Sequence, residues 1–506
     1  MLNVLIWGPL LGAAIIGLWP GTLTAKITRQ VALVITAISF IWSLVLLFQF
    51  NPALTGQQFS VTIPWIEALG FNYALGIDGL SLPLVILNGL LTTIALYSTD
   101  PAIPRPRFYY SLVLLLTVGV YGAFLAQDLL LFFLFYELEL IPLYFLIAIW
   151  GGERRGYAAT KFLLYTALSG LLVLASFLGI VWLSGAPSFL YHPAMAQGLP
   201  LGTQFLLLGT LLVGFGIKIP LVPFHTWLPD AHVEASTPIS VLLAGVLLKL
   251  GTYGLLRFGL GLFPQAWHEL GPWLAGWAVL SVLYGSFNAI VQVDMKKMVA
   301  YSSVGHMGYI LLGTAAGTSL SLLGTIFQMI SHGLISGLLF LLVGVVYKKT
   351  GTRDITILKG LLNPERGLPV IGSLMVLGVM ASAGIPGMMG FISEFLIFRG
   401  SLTIFPTQTL LCIIGTGLTS VYFLLLVNRV FFGRLSDIAI NLPRVEWSDR
   451  IPAIVLALLI VLLGVQPEWI SHWTETTATT LISTQSINII QETANNSFPL
   501  KTITTF

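Results

Sequence analysis

Lys218 and Lys249 lie inside long apolar runs, LLLGTLLVGFGIKIP (206–220) and VLLAGVLLKLGTYGLL (241–256), and Glu137 and Glu394 lie inside two others. A charge near the middle of a bilayer costs roughly 2.5 kcal/mol or more even on the lenient insertion scale, so such groups face a protein interior or a wet cavity. Two acids and two lysines at that depth are equipment for moving ions or protons. Glu139 follows Glu137 by two residues, about 200° around a helix, so the two occupy different faces and one narrow pathway takes only one of them. Glu137 is the expected partner of Lys218. The plainer alternative for each of these groups is a structural counter-charge or a protonated, satisfied interior carboxyl.

His306 follows Tyr301, Ser302 and Ser303, and His332 is flanked by Gln328, Ser331 and Ser336, the polar company a hydrated path needs. A lone histidine among helices is more often a hydrogen-bonded core residue, but one titrating near neutrality can also pass protons between acids and lysines. The stretch HTWLPDAHVE (225–234) holds His225, Asp230, His232 and Glu234 without a usual metal-ligand spacing; it reads as a packed loop or a site of proton uptake, and no metal is expected. Asp78 and Asp128 open apolar runs and read as helix N-caps.

The elements that position these residues must be membrane spans. The 506 residues are 56% hydrophobic and 8% charged with mean hydropathy +0.93, which excludes a soluble globular chain. Runs of apolar residues predict an all-α polytopic membrane protein with about fourteen helices, near 2–19, 30–50, 78–98, 109–127, 129–150, 161–184, 204–225, 236–258, 272–291, 299–316, 322–347, 369–399, 408–432 and 451–466. The first run lacks a basic leader and a cleavage site, so no signal peptide is expected. Most of the 23 Lys and Arg, from Lys26 and Arg29 through Arg366 to Arg450, fall on one side of that topology; Arg257, Arg399 and Lys501 fall on the other. The positive-inside rule makes the richer side cytoplasmic. A single cysteine, Cys412, excludes an internal disulfide and cysteine-ligated clusters. A net charge of +3 gives no footprint for nucleic acid.

Two runs are broken: Pro220 and Pro223 follow Lys218, and Gly384, Pro386, Gly387 and Gly390 precede Glu394. Irregular backbone at membrane depth survives only where protein or water covers it, and paired broken spans point to an inverted-repeat transporter. With runs 4–8 and 9–13 as the repeats, the broken spans 7 and 12 take matching places. The organisation expected is helices 1–3 over 1–108, one repeat over 109–258, the second over 259–432, and a last span with a polar tail over 433–506.

FYELELIPLYFLIAIWG (135–151), IKIPLVPFHTWLPDAHVEAST (217–237), LLAGVLLKLGTYGLLRF (242–258), MKKMVAYSSVGHMGYI (295–310) and ASAGIPGMMGFISEF (381–395) resemble the proton-pumping, antiporter-like subunits of complex I. The resemblance runs from about 75 to 430 and is greatest to the M-type, or chain 4, group of the photosynthetic NAD(P)H-quinone oxidoreductases. Glu394 stands where related pumping subunits usually carry lysine, no long lateral helix is expected after the last span, and ELELIP with ATKFLLYTALSG (159–170) looks like the cyanobacterial and chloroplast branch. Tyr136 departs from that branch, which commonly has tryptophan there.

The resemblance implies Glu137 and Lys218 as a coupled pair, Lys249 as central carrier, His306 and His332 as connectors and Glu394 as terminal group. It implies no cofactor in this chain, with plastoquinone and iron–sulfur clusters in other subunits. The implied partners are further membrane subunits including a chain-5-like neighbour, the lipid bilayer and, in a CO2-uptake form, a carbonic-anhydrase-like subunit; the implied location is a cyanobacterial thylakoid membrane. A subunit of a Mrp-type Na⁺/H⁺ antiporter, a stand-alone secondary transporter and a scaffolding subunit are the rivals.

Overall fold

The computed structural model describes residues 1–481 apart from 22, 366 and 437–441, so Arg366 and most of the polar tail, with Lys501, lie outside the described residues. Every apolar run predicted to cross a membrane is helical. In order these are α1 (Asn3–Leu18), α2 (Ala25–Gln49), α3 (Ser81–Tyr97), α4 (Pro106–Leu125), α5 (Leu129–Leu138) continued by α6 (Leu140–Trp150), and α7 (Arg155–Ser184). Next come α8 (Leu201–Lys218), α9 (Trp227–Glu234), α10 (Thr237–Leu242) and α11 (Leu248–Gly254). The last seven are α12 (Pro264–Ile290), α13 (Met295–Ala316), α14 (Ser319–Thr350), α15 (Pro369–Ser382), α16 (Met389–Leu402), α17 (Pro406–Val430) and α18 (Trp447–Val465).

Among the described residues, ten helical segments are long and apolar enough to cross a bilayer by themselves, and α1, α3 and α15 are shorter apolar helices. The difference from fourteen has a local cause. α15 stops at a Gly/Pro break, and α13 carries Lys296, Lys297, Ser302, Ser303 and His306, which dilute its hydropathy.

Small residues let the central helices close up. A Cβ added at Gly285 of α12 would lie 2.7 Å from the Gly305 nitrogen of α13, and one at Gly308 would lie 2.7 Å from Val282 Cγ2. In lipid, where apolar contact alone gives little preference between helices, close backbone approach of this kind drives packing. The helix that carries Lys249 is enclosed by protein along its whole length, and α14, which carries His332, almost so; α2 and α18 are mostly open.

Two features were not in the sequence reading. Between α2 and α3 the chain forms an antiparallel hairpin, β1 (Gln58–Ile66) and β2 (Phe71–Ile77), turned at Gly70 with φ 64°. Asp128 ties it to the bundle: Oδ1 accepts from the Leu130 and Leu131 N–H groups as the expected N-cap, while Oδ2 accepts from the Asn72 N–H. A further helix over 468–481 follows α18, where only a polar tail was expected. It docks on the same end of the molecule, with Thr476 Oγ1 donating to the Pro52 carbonyl and the Gly79 N–H donating to Thr477 Oγ1.

Candidate functional site

α8 ends at Lys218, because Pro220 and Pro223 lack the N–H groups that would continue it. The lysine therefore sits at a helix C-terminus, where the macrodipole favours a cation. Its ammonium is buried and forms an ion pair with Glu139, itself fully buried. It also lies 4.5 Å from the centre of the Tyr136 ring.

This corrects the expectation that Glu137 is the direct partner of Lys218. The two acids do face different helices, as their spacing requires. Glu139 packs against α4, where a Cβ at Gly119 would lie 3.1 Å from its nitrogen, and the Glu137 carboxylate presses on Gly170 of α7. A helical wheel separates the faces; it does not say which one the end of α8 will meet. The regular ladder is also interrupted at Glu139, between α5 and α6, which alters the ideal angle between the acids. Glu137 remains within Coulombic reach of Lys218. Glu137 Oε1 and Glu139 Oε2 are both buried without a hydrogen-bond partner.

Lys249 stands in α11 between two π-helical stretches, Leu243–Leu247 and Leu255–Leu260. The widened turn releases carbonyls from the normal ladder, and Lys249 Nζ donates to the Ala244 carbonyl at 2.6 Å. The same nitrogen lies 2.8 Å from His332 Nδ1 of α14. When the lysine is an ammonium it has only donors, so that contact requires Nδ1 to accept and the imidazole to carry its proton on Nε2.

The His332 and His306 rings are 5.7 Å apart, and His306 Nδ1 lies 3.5 Å from Glu394 Oε1 of α16. Gln328 Nε2 lies 3.2 Å from the same Nδ1, and His306 Nε2 lies 3.0 Å from Ser382 Oγ. These partners make different demands. A donating Gln328 needs a bare Nδ1, whereas Glu394 needs a proton there, so His306 has two usable tautomers. Glu394 Oε2 accepts from Thr416 Oγ1 at 2.9 Å. A cavity of about 10 Å³ lined by His306, Gln328, His332, Ser382 and Glu394 has room for roughly one water.

The expected site residues therefore fall into two groups. Lys249, His332, His306 and Glu394 succeed one another across α11, α14, α13 and α16: Lys249 meets His332 and His306 meets Glu394 directly, while the two rings stand 5.7 Å apart with His332 Nε2 buried and without a hydrogen-bond partner. Lys218, Glu139 and Glu137 form a second cluster, with no hydrogen bond to Lys249 among the described residues; the two meet where Gly251 lets α11 approach Lys218, a Cβ there lying 3.2 Å from the Lys218 Cβ. Lys249 stands near the middle of the helical run Thr237–Leu260, and His332, His306 and Glu394 stand near the middles of α14, α13 and α16.

The stretch 225–234 divides its side chains among different tasks. Asp230 pairs with Lys161 at 2.8 Å, Glu234 accepts the Arg154 N–H at 2.9 Å, and the His232 ring stacks on Phe340 with centres 4.3 Å apart. Asp78 caps α3 through the Leu80 and Ser81 N–H groups as expected, but its other oxygen pairs with Arg257. Arg257, assigned by the sequence to the side opposite the basic loops, is buried. Gln328 was read beside His332, as found, but Ser382, Ser393 and Thr416 were missed; the first two lie in the 381–395 motif with Glu394, and Thr416 carries no signal in the sequence.

This arrangement of charged groups along broken helices is that of an antiporter-like membrane subunit. Residues 126–419 match the family described as NADH:quinone oxidoreductase/Mrp antiporter, TM, and the chain belongs to that family. It is 41% identical to NAD(P)H-quinone oxidoreductase chain 4 3 of Picosynechococcus sp. over 87% of this chain and 81% of the relative. It is 38% identical to NAD(P)H-quinone oxidoreductase chain 4 2 of Thermosynechococcus vestitus, over 99% of this chain and 95% of that one. Among solved structures it superposes on a chain of respiratory complex I from Thermus thermophilus with bound NADH, with TM-score 0.86 and 28% identity, covering 96% of this chain and all of the other. A chain of the Mrp complex from Dietzia sp. shares the fold, with TM-score 0.85 and 21% identity over 97% and 98% of the two chains.

Proposed function

We propose that this chain is a proton-translocating membrane subunit of a photosynthetic NAD(P)H- or ferredoxin-plastoquinone oxidoreductase, in which Glu137, Lys218, Lys249, His332, His306 and Glu394 carry the transfer. The observation that supports it most is the line from Lys249 Nζ through both imidazoles to the Glu394 carboxylate. Relatives named as chain 4 of such an oxidoreductase support the choice of complex. Runs 4–8 and 9–13 act as the two inverted repeats, with the Lys218 and Glu394 breaks in matching places.

The chain's residues supply acid–base groups, and electrons pass through iron–sulfur clusters and plastoquinone in neighbouring subunits. An ammonium buried beside a carboxylate keeps its proton; when the counter-charge withdraws, desolvation favours the neutral amine. Loss of a proton from Lys249 to His332 Nδ1, rotation of load between the two nitrogens of His306, and delivery to Glu394 form the sequence of transfers. The site of action is a thylakoid membrane with the basic loops on the cytoplasmic side. The partners are a chain-5-like subunit and, in a CO2-uptake form, a carbonic-anhydrase-like subunit whose released protons this path would remove. Copurification of that subunit separates the CO2-uptake form from the respiratory one.

The test is Lys218→Met or Lys249→Met in the assembled complex, with proton translocation measured per quinone reduced. A fall of about tenfold or more is expected. Unchanged coupling in either variant overturns the assignment, and coupling that requires Na⁺ favours a Mrp-type antiporter reading, for which the shared fold is the supporting observation.

A further inference from the structure

We infer that Glu139 is a second proton-carrying carboxyl of the Lys218 site, and that Lys218 alternates between two acids, Glu139 and Glu137. The inference rests on the proposed proton-translocating role.

The site holds three ionisable groups in a buried space. Lys218 contributes one positive charge; Glu137 and Glu139 contribute a negative charge each when ionised. Fully ionised, the cluster would bury one uncompensated negative charge, with Glu137 Oε1 and Glu139 Oε2 lacking any donor. An unpaired buried charge is strongly disfavoured, and two carboxyls sharing one site hold a proton between them. One carboxyl is therefore protonated while the other pairs with the ammonium. In this structure the pairing acid is Glu139.

The surroundings allow the other pairing. Tyr136 gives Lys218 a ring face to lie on, and its hydroxyl is held by Ser169 at 2.9 Å, which in turn donates to the Gly214 carbonyl at 2.7 Å. Those bonds fix the ring on which the ammonium lies, leaving the four-carbon lysine stem as the movable part. Gly170 leaves the Glu137 carboxylate its place against α7.

The step balances. Glu137 in its acid form releases a proton toward the path and becomes a carboxylate. Glu139 takes one proton from water, and the Lys218 ammonium turns to Glu137. Lys218 then donates its proton to Glu137 and receives the proton of Glu139, returning as an ammonium paired with Glu139. One proton has passed from Glu139 to Glu137 and the lysine is unchanged.

Glu139→Gln, Glu137→Gln and Glu139→Asp, with Lys218→Met as reference, test this in membranes carrying the assembled complex. Proton translocation per quinone reduced should fall about tenfold in either Gln variant, and Glu139→Asp should restore most of it. The infrared difference spectrum of turnover should contain a protonated-carboxyl C=O band that Glu139→Gln removes and Glu139→Asp shifts. Normal coupling in Glu139→Gln alongside a defect in Lys218→Met overturns this inference alone; normal coupling in Lys218→Met overturns the proposed function itself. Should Glu139→Gln fail to assemble, the Asp variant decides: a carboxyl band that it leaves unshifted marks Glu139 as a fixed counter-ion and overturns the inference.

Discussion

At the scale of single residues, the Lys249–His332 contact constrains both of its partners. Lys249 Nζ has two partners, a carbonyl that accepts and a ring nitrogen that must accept. His332→Ala removes the ring partner and breaks the line toward Glu394. Proton translocation is expected to drop by about a hundredfold, with quinone reduction retained in uncoupled membranes; the measurement is the ratio of the two rates. Gly170→Ala is a gentler probe, because the added methyl would fall on the Glu137 carboxylate and must displace it. Coupling should fall severalfold while the amount of assembled complex stays near normal. Gly179→Ala on the same helix meets only the flexible Leu207 side chain, and serves as control. The identities of the charged groups were legible in the sequence because burying them is costly and therefore uncommon. Their pairing was not: Glu139 rather than Glu137 meets Lys218 because of how α8 ends, which is a tertiary fact.

At the scale of elements, the two broken helices could be read directly from Pro and Gly, which interrupt a ladder wherever they fall. Gly384 takes φ 70°, and a Cβ on it would lie 3.2 Å from Glu394 Oε2. Gly384→Ala should therefore cost about 1–2 kcal/mol from the backbone alone and also disturb the Glu394 carboxylate. The expected outcome is a lower melting temperature of the complex together with weakened coupling, measured on the same membranes. The π-helical stretches around Lys249 left no mark in the sequence, since an extra residue in a turn is set by what the neighbouring helices require. The hairpin was missed for a different reason. With Pro64 within β1 and a mixed burial pattern along that strand, alternation is weak. Asp128 joins that hairpin to α5, so Asp128→Ala removes an N-cap, worth about 1 kcal/mol, and the bond to the Asn72 N–H as well.

At the scale of the whole molecule, the Asp78–Arg257 pair holds together pieces far apart in the chain: the hairpin end, α3 and the helix that carries Lys249. Gln57 Nε2 donates to the same Asp78 oxygen at 2.9 Å, and the helix over 468–481 covers the adjoining Gly79. Asp78→Ala leaves a buried guanidinium without its counter-charge, at a cost of about 3–5 kcal/mol. Loss of the chain from the assembled complex is expected, read as its abundance in purified complex. An Asp78→Asn, Arg257→Met double variant should be milder, since no charge is stranded. The bundle of spans and the family were visible in hydropathy and motifs; this long-range clamp was not, because its partners are 179 residues apart and neither the N-cap reading of Asp78 nor the motif that holds Arg257 says that the two meet.

In the proposed relay Lys249, His332, His306 and Glu394 each stand near the middle of separate helices, so that a proton would step from helix to helix instead of travelling along one. Displacement parallel to the bilayer does almost no work against the membrane voltage, whereas carrying one charge across it amounts to about 2.3 kcal/mol per 100 mV. The proposed relay would thus be electrically quiet. Nearly all of the voltage dependence of turnover should reside in the short legs by which protons arrive from one surface and depart to the other.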